Sequence, residues 1–213
     1  MEGTNYRRDL NPFTAVWLHA RETVRYVIEE KSDGFVWILV ALAGISGALL
    51  GTLDTRTNET FPVIGIVLGT ILLGPIAGVI GTAISAAVFL LVGKLFRGKA
   101  TYPDMFRAVA TAQIPNIWLL PFLLIWMLAF PATFFLEPAA ETLVSGGEVA
   151  WTVFATIVLI VVSVWVFVIQ CQSIGEAHRI SSWKGFFIVL VTGLAFLALL
   201  IAIVVAIAFG AMG

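Results

Sequence analysis

The sequence predicts an all-α, polytopic membrane protein: a bundle of five transmembrane helices preceded by an N-terminal amphipathic interfacial helix. Three observations predict it. The composition is 60% hydrophobic and 12% charged with a mean hydropathy of +1.03, against roughly 25% charged residues in soluble domains. The apolar residues form long continuous runs rather than alternating ten-residue segments, which selects helices over a barrel as the way to satisfy the backbone in lipid. The basic residues also sort to one side of those runs. A chain of 213 residues reads as a cytoplasmic amphipathic segment over 1–34 and a transmembrane domain over 35–213.

In the N-terminal segment, Asn11-Pro12 reads as a cap followed by proline at the first helical position, where its missing N–H costs nothing. Phe13, Val16, Trp17, Ala20, Val24 and Val27 recur at helical spacing, with Arg21, Glu22, Arg25 and Glu29 opposite. Such a helix lies on a membrane surface with Trp17 and Tyr26 as anchors, or packs as a cap on the bundle. The first 34 residues lack the basic stretch and apolar core of a cleavable leader, so none is expected.

Four apolar runs fit one crossing each at about 20 residues per span: 35–52, 108–130, 149–171 and 186–209. The run 61–95 fits one overlong helix or two short ones joined near Gly74-Pro75. Charge decides, because Lys and Arg collect in cytoplasmic loops. One crossing there puts Arg7, Arg8, Arg21, Arg25, Lys31, Lys94, Arg97, Lys99, Arg107, Arg179 and Lys184 on one side. Arg56 is left opposite with Asp54, Glu59, Glu137, Glu141 and Glu148. Five crossings follow, with the N-terminus in the cytoplasm, the C-terminus outside, and 61–73 a tilted, interfacial or re-entrant lead-in kinked at Pro75. A short helix is expected around Pro138 to Val144.

Small residues form stripes: Gly44, Gly47 and Gly51 in the first crossing, then Gly65, Gly69, Gly74, Gly78, Thr82 and Ser85 in the second. Spacings of three or four let backbones approach where lipid gives helices no hydrophobic drive, so the first two crossings are expected to pack closely near Gly47 and Gly78. Gln113, Pro115, Asn116 and Pro121 in the third crossing, and Gln170, Cys171 and Gln172 ending the fourth, place neutral polar groups in the bundle. Helix-to-helix hydrogen bonding at a proline kink explains them more simply than a substrate cavity. No ionisable residue lies well inside a crossing, which argues against an ion-coupled pump.

Catalysis has little support. The histidines are His19 and His178, and a metal would need Glu176 and Asp104 from separate segments. There is no phosphate-cradling glycine loop, no nucleophile elbow and no zinc-spaced Cys/His set, so no cofactor and no nucleic-acid partner is expected. Cys171, the single cysteine, cannot form an internal disulfide.

Several segments together resemble a bacterial member of the Yip domain family, the Ypt-interacting-protein-like membrane proteins. They are Asn11-Pro12-Phe13, Arg21-Glu22-Thr23-Val24-Arg25-Tyr26, Leu73-Gly74-Pro75, and Gly93-Lys94-Leu95-Phe96-Arg97-Gly98-Lys99-Ala100-Thr101-Tyr102. Ala112-Gln113-Ile114-Pro115 and Gly175-Glu176-Ala177-His178-Arg179-Ile180-Ser181-Ser182-Trp183-Lys184 complete the set. The resemblance implies a five-helix bundle in the bacterial inner membrane. Eukaryotic members have a longer N-terminal region and partner Rab-type GTPases; the first 34 residues here are too few for such a docking domain, so that partnership is not carried over. The expected function is a non-enzymatic protein that organises or remodels the membrane or scaffolds itself or other membrane proteins. Trp17, Arg21, Arg25, Lys94, Arg97 and Lys99 would meet anionic headgroups, and Gly74, Pro75, Gly78, Gln113, Pro115 and Glu176 would form the core. The alternatives are a passive lipid or apolar-solute conduit lined by Gln113, Asn116, Gln170 and Gln172, and a membrane enzyme built on Glu176, His178 and Asp104.

Overall fold

A computed structural model describes residues 10–135 and 145–210. The chain runs α1 (Pro12–Ala15), α2 (Ala20–Glu30), α3 (Asp33–Leu50), α4 (Thr57–Thr60), α5 (Val63–Leu95), α6 (Tyr102–Ala112), α7 (Ile114–Ala129), α8 (Pro131–Phe134), α9 (Gly146–Ala177) and α10 (Ser182–Gly210), with no strand among the described residues. The helix expected around Pro138 to Val144 lies outside the described residues.

Among the described residues five segments are long and apolar enough to cross a membrane: α3, α5, α6 with α7, α9, and α10 to Ile207. The run that carried the count is one continuous helix. The 33 residues of α5 reach about 50 Å at about 1.5 Å per residue, well beyond a hydrocarbon core of roughly 30 Å. Pro75 sits inside it without ending it; the lead-in 61–73 is thus helical from Val63 onward. The surplus length serves the far end, where the last turns of α5 join a polar assembly.

That assembly sets the architecture. α2, the first turn of α3, the C-terminal turns of α5 and α9, α6 and the start of α10 converge into a cap at one end of the bundle, which holds every described basic residue but Arg56. Burial follows the same axis. In α9, Ile169–Cys171 and Ser173–Ala177 are buried, while most of Val153–Val168 faces outward; α10 is exposed on every side from Gly193 to Ile207. Apolar exposure of that extent is the surface lipid covers. At the opposite end an aromatic cluster of Phe122, Trp126, Phe130, Phe134 and Trp151 closes the bundle, with Trp126 Nε1 donating to Thr133 Oγ1 at 3.0 Å.

The N-terminal amphipathic stripe faces protein. Val16, Val24 and Val27 are wholly buried and Ala20 nearly so, packed against α3, α6, α7 and α9, so the packed-cap alternative is the arrangement found. The helix also breaks: α1 ends at Ala15 and α2 begins at Ala20 after His19 leaves helical geometry (φ −126°, ψ 48°). The indoles of Trp118 and Trp165 reach across the bundle and donate to the carbonyls of Phe13 (3.1 Å) and Trp17 (2.9 Å).

Candidate functional site

The cap is built around one carboxylate. Arg21 and Arg25 are four apart on α2, so they share a face, and that face meets the last turn of α9. Arg21 Nε donates to Glu176 Oε2 at 2.8 Å and Arg25 Nε to Oε1 at 2.6 Å. A terminal nitrogen of each guanidinium approaches the same oxygen, at 2.8 and 2.5 Å. Glu176 is 5% exposed, and a charge so buried is tolerable only when paired and hydrogen-bonded. Arg21 also donates to Ser182 Oγ and Ile180 O, each at 3.1 Å, and thereby ties α2 to the turn between α9 and α10.

A third arginine holds the other end of α2. Arg107 on α6 directs Nη1 at the carbonyls of Val27, Ile28 and Lys31 (3.2, 2.9 and 3.0 Å). Its Nη2 donates to Asp33 Oδ1 at 2.6 Å. It supplies a cation and donors where a helix C-terminus leaves carbonyls without partners, and it links α2 to α3.

The remaining part joins the ends of α5 and α9. Both close in a Schellman motif, in which two backbone N–H groups return to carbonyls of the last turn: Gly98 to Gly93 and Arg97 to Lys94, then Ile180 to Gly175 and Arg179 to Glu176. The left-handed residue is arginine in each, Arg97 at φ 62° and Arg179 at φ 55°, although glycine is usual there. No described glycine has positive φ; the cap uses glycine for space instead. The imidazole of His178 lies where β-carbons of Gly93 and Gly98 would be. Its Nδ1 accepts from Ala100 N–H at 3.3 Å, which puts the ring proton on Nε2, 3.1 Å from Phe89 O. Lys99 N–H donates to the His178 carbonyl at 3.1 Å. Burial holds the His178 pKa below its ordinary 6.5, the Phe89 carbonyl opposes this, and Lys94 adds repulsion in the same direction as burial.

The interlock leaves Lys94, Arg97, Lys99, Arg179 and Lys184 exposed, none with an ion pair among the described residues. Leu95 (80% exposed) and Trp183 (72%) stand among them. The guanidiniums of Arg21 and Arg25 are engaged by Glu176, and Trp17 is half-buried beside Trp165 and Gln172 in a pocket of about 240 Å³.

Gly44, Gly74 and Gly78 form a close crossing of α3 and α5. A β-carbon on Gly44 would overlap the Gly74 carbonyl, and one on Gly74 would lie 2.7 Å from the Ile45 Cα. Gly47 lies one turn further on, with open space beside it. Pro115 is buried at the start of α7, and Gln113 is the one-residue break before it. Asn116 Nδ2 donates to Gln113 Oε1 at 2.6 Å, and Ser46 Oγ to the Asn116 carbonyl at 2.5 Å. Gln113 and Gln172 line two separate pockets, whereas Asn116 and Gln170 line neither of them.

The three residues considered for catalysis have separate partners. Asp104 closes a capping box with Thr101 at the start of α6, Glu176 holds two arginines, and His178 holds a loop. Among the described residues no group of three His, Cys, Asp or Glu is placed to hold a metal. The hold of Arg107 on α2, the glycine cradle of His178 and the indoles of Trp118 and Trp165 left little trace in the sequence; only the Gly93 and Gly98 pair flanking a basic turn hinted at a close approach.

Five apolar helices with all but one of their described basic residues gathered at one end define a multi-pass membrane protein. The Yip1 domain model matches residues 14–204, which takes in α2, the Glu176 clamp and the basic turns: the chain belongs to the Yip1 domain family. No curated protein and no solved structure matches it.

Proposed function

We propose that this protein is a non-enzymatic organiser of a bacterial inner membrane, with the cap on the cytoplasmic side and the C-terminus outside. The cap meets anionic headgroups through Lys94, Arg97 and Lys99, joined by Arg179 and Lys184, and offers a rigid surface to itself or other membrane proteins. The carrying observation is that these five cations are exposed and, among the described residues, without ion pairs beside Leu95 and Trp183, the composition of an interfacial lipid contact. The sorting of Lys and Arg to the cap end supports the orientation. Separate pockets for Gln113 and Gln172 favour this reading over a through-going conduit.

Native mass spectrometry of the protein released from vesicles of mixed phosphatidylglycerol and phosphatidylcholine tests the contact. Wild type is expected to retain phosphatidylglycerol preferentially, and a Lys94→Gln, Lys99→Gln, Lys184→Gln variant to lose that preference. Equal retention by both would overturn the assignment.

A further inference from the structure

We infer that the groove between α3, α5 and α6 binds one acyl chain of a membrane glycerolipid together with its ester carbonyl. The groove holds about 330 Å³, at the low end of ligand pockets of roughly 300–1,000 Å³. Gly47 and Gly81 form part of its lining and are exposed, so it opens sideways toward lipid. Small residues alone would mark only a helix crossing, but three polar groups share this lining. Thr82 is 7% exposed, yet its hydroxyl has no hydrogen-bond partner among the described residues. The hydroxyl of Ser85, a half-buried residue, also has none among the described residues. Gln113 uses its Oε1 on Asn116, which leaves its Nε2 donors free.

An unpaired polar group away from water is costly, and three groups able to donate fit an acceptor. Among the described residues no charged side chain lines the groove, so a phosphate or ammonium headgroup is the wrong ligand. An ester carbonyl accepts without charge and carries an apolar chain to fill the space beside Ala43, Ala48 and Ala77. The position fits as well. Gln113 lies at the boundary between amphipathic α6 and apolar α7, and Ser85 is ten residues before the end of α5, about 15 Å at about 1.5 Å per residue. This is the level at which a span emerges into the glycerol region of the cap-side leaflet.

The test uses the full chain in phosphatidylcholine nanodiscs containing a trace of phosphatidylcholine with a photoactivatable hydrocarbon chain, ester-linked in one probe and ether-linked in the other (diester and diether forms), with labelled peptides mapped. The diester probe is expected to label the α3 and α5 peptides of the groove more than α10. Gly81→Leu, whose β-carbon meets nothing within 4 Å, should lower that labelling severalfold by filling the groove. Thr82→Val should lower diester labelling and leave diether labelling unchanged. A thermal melt matching wild type confirms that Gly81→Leu folds; Gly47→Leu, equally unobstructed, repeats the test if it does not. Labelling no greater than on α10, or unchanged by groove filling, overturns the site. Diester and diether probes labelling equally and responding equally to Thr82→Val overturn the ester assignment.

Discussion

The imidazole of His178 occupies the volume that a side chain on Gly93 would need, so the ends of α9 and α5 fit together only because one residue is glycine and the other a neutral ring. Gly93→Ala would drive a methyl into a ring fixed by hydrogen bonds on both nitrogens. Its expected cost is about 2 kcal/mol, typical of overpacking, read as a lower melting temperature in detergent or nanodiscs.

The same ring makes stability depend on pH. Its folded pKa is depressed below 6.5 because burial disfavours the imidazolium, and Nδ1 accepts the Ala100 N–H only when unprotonated. The unfolded state therefore binds the proton more readily. The stabilisation is present above pH 6.5 and is lost as the pH falls through the lower folded value. Melts at descending pH should show that loss in wild type, and a His178→Gln variant should show a flatter profile across the same window.

Glu176 is expected to matter more than either arginine it holds. Glu176→Gln leaves two guanidiniums facing a neutral amide, at a cost of about 3 kcal/mol for breaking a buried pair. Arg25→Ala leaves Glu176 with Arg21, so a smaller loss is expected, and Arg21→Lys is not conservative because lysine cannot also reach Ser182 and Ile180 in a fixed fork. Tryptic cleavage at Arg25 in the native protein should accelerate in Glu176→Gln.

The left-handed arginines separate stability from function. A β-carbon in that region costs roughly 1–2 kcal/mol, so Arg97→Gly and Arg179→Gly should each raise stability by about 1 kcal/mol while lowering retention of phosphatidylglycerol. Loss of both stability and lipid retention would mean that these side chains hold the cap together.

Gly44→Leu should disrupt the α3–α5 crossing, since its side chain would meet the Gly74 carbonyl and the Gly78 Cα, backbone atoms that cannot rotate away. Gly47→Leu should leave the melt unchanged. The contrast distinguishes glycine needed for contact from glycine that lines open space.

Hydropathy and charge placement made the five spans legible in the sequence, because both act on whole segments and need no partner to be known. The cap was less legible. Arg21 and Arg25 present the same four-residue spacing whether they face headgroups or a carboxylate, and that carboxylate lies 155 and 151 positions away. The break at Gln113 was signalled by Pro115, whose ring and missing N–H disfavour an unbroken helix through its preceding turn. The break after Ala15 had no comparable signal, because it follows from where Trp118 and Trp165 hold the chain.

The central claim is that this bundle organises lipid without passing it from one leaflet to the other. Reconstitution into vesicles carrying a fluorescent lipid, followed by an impermeant reductant that bleaches only the outer leaflet, measures this directly. Vesicles containing the protein should keep their inner-leaflet fluorescence as protein-free vesicles do. Bleaching that proceeds to the inner-leaflet lipid at a rate rising with protein content would show a conduit and contradict the account.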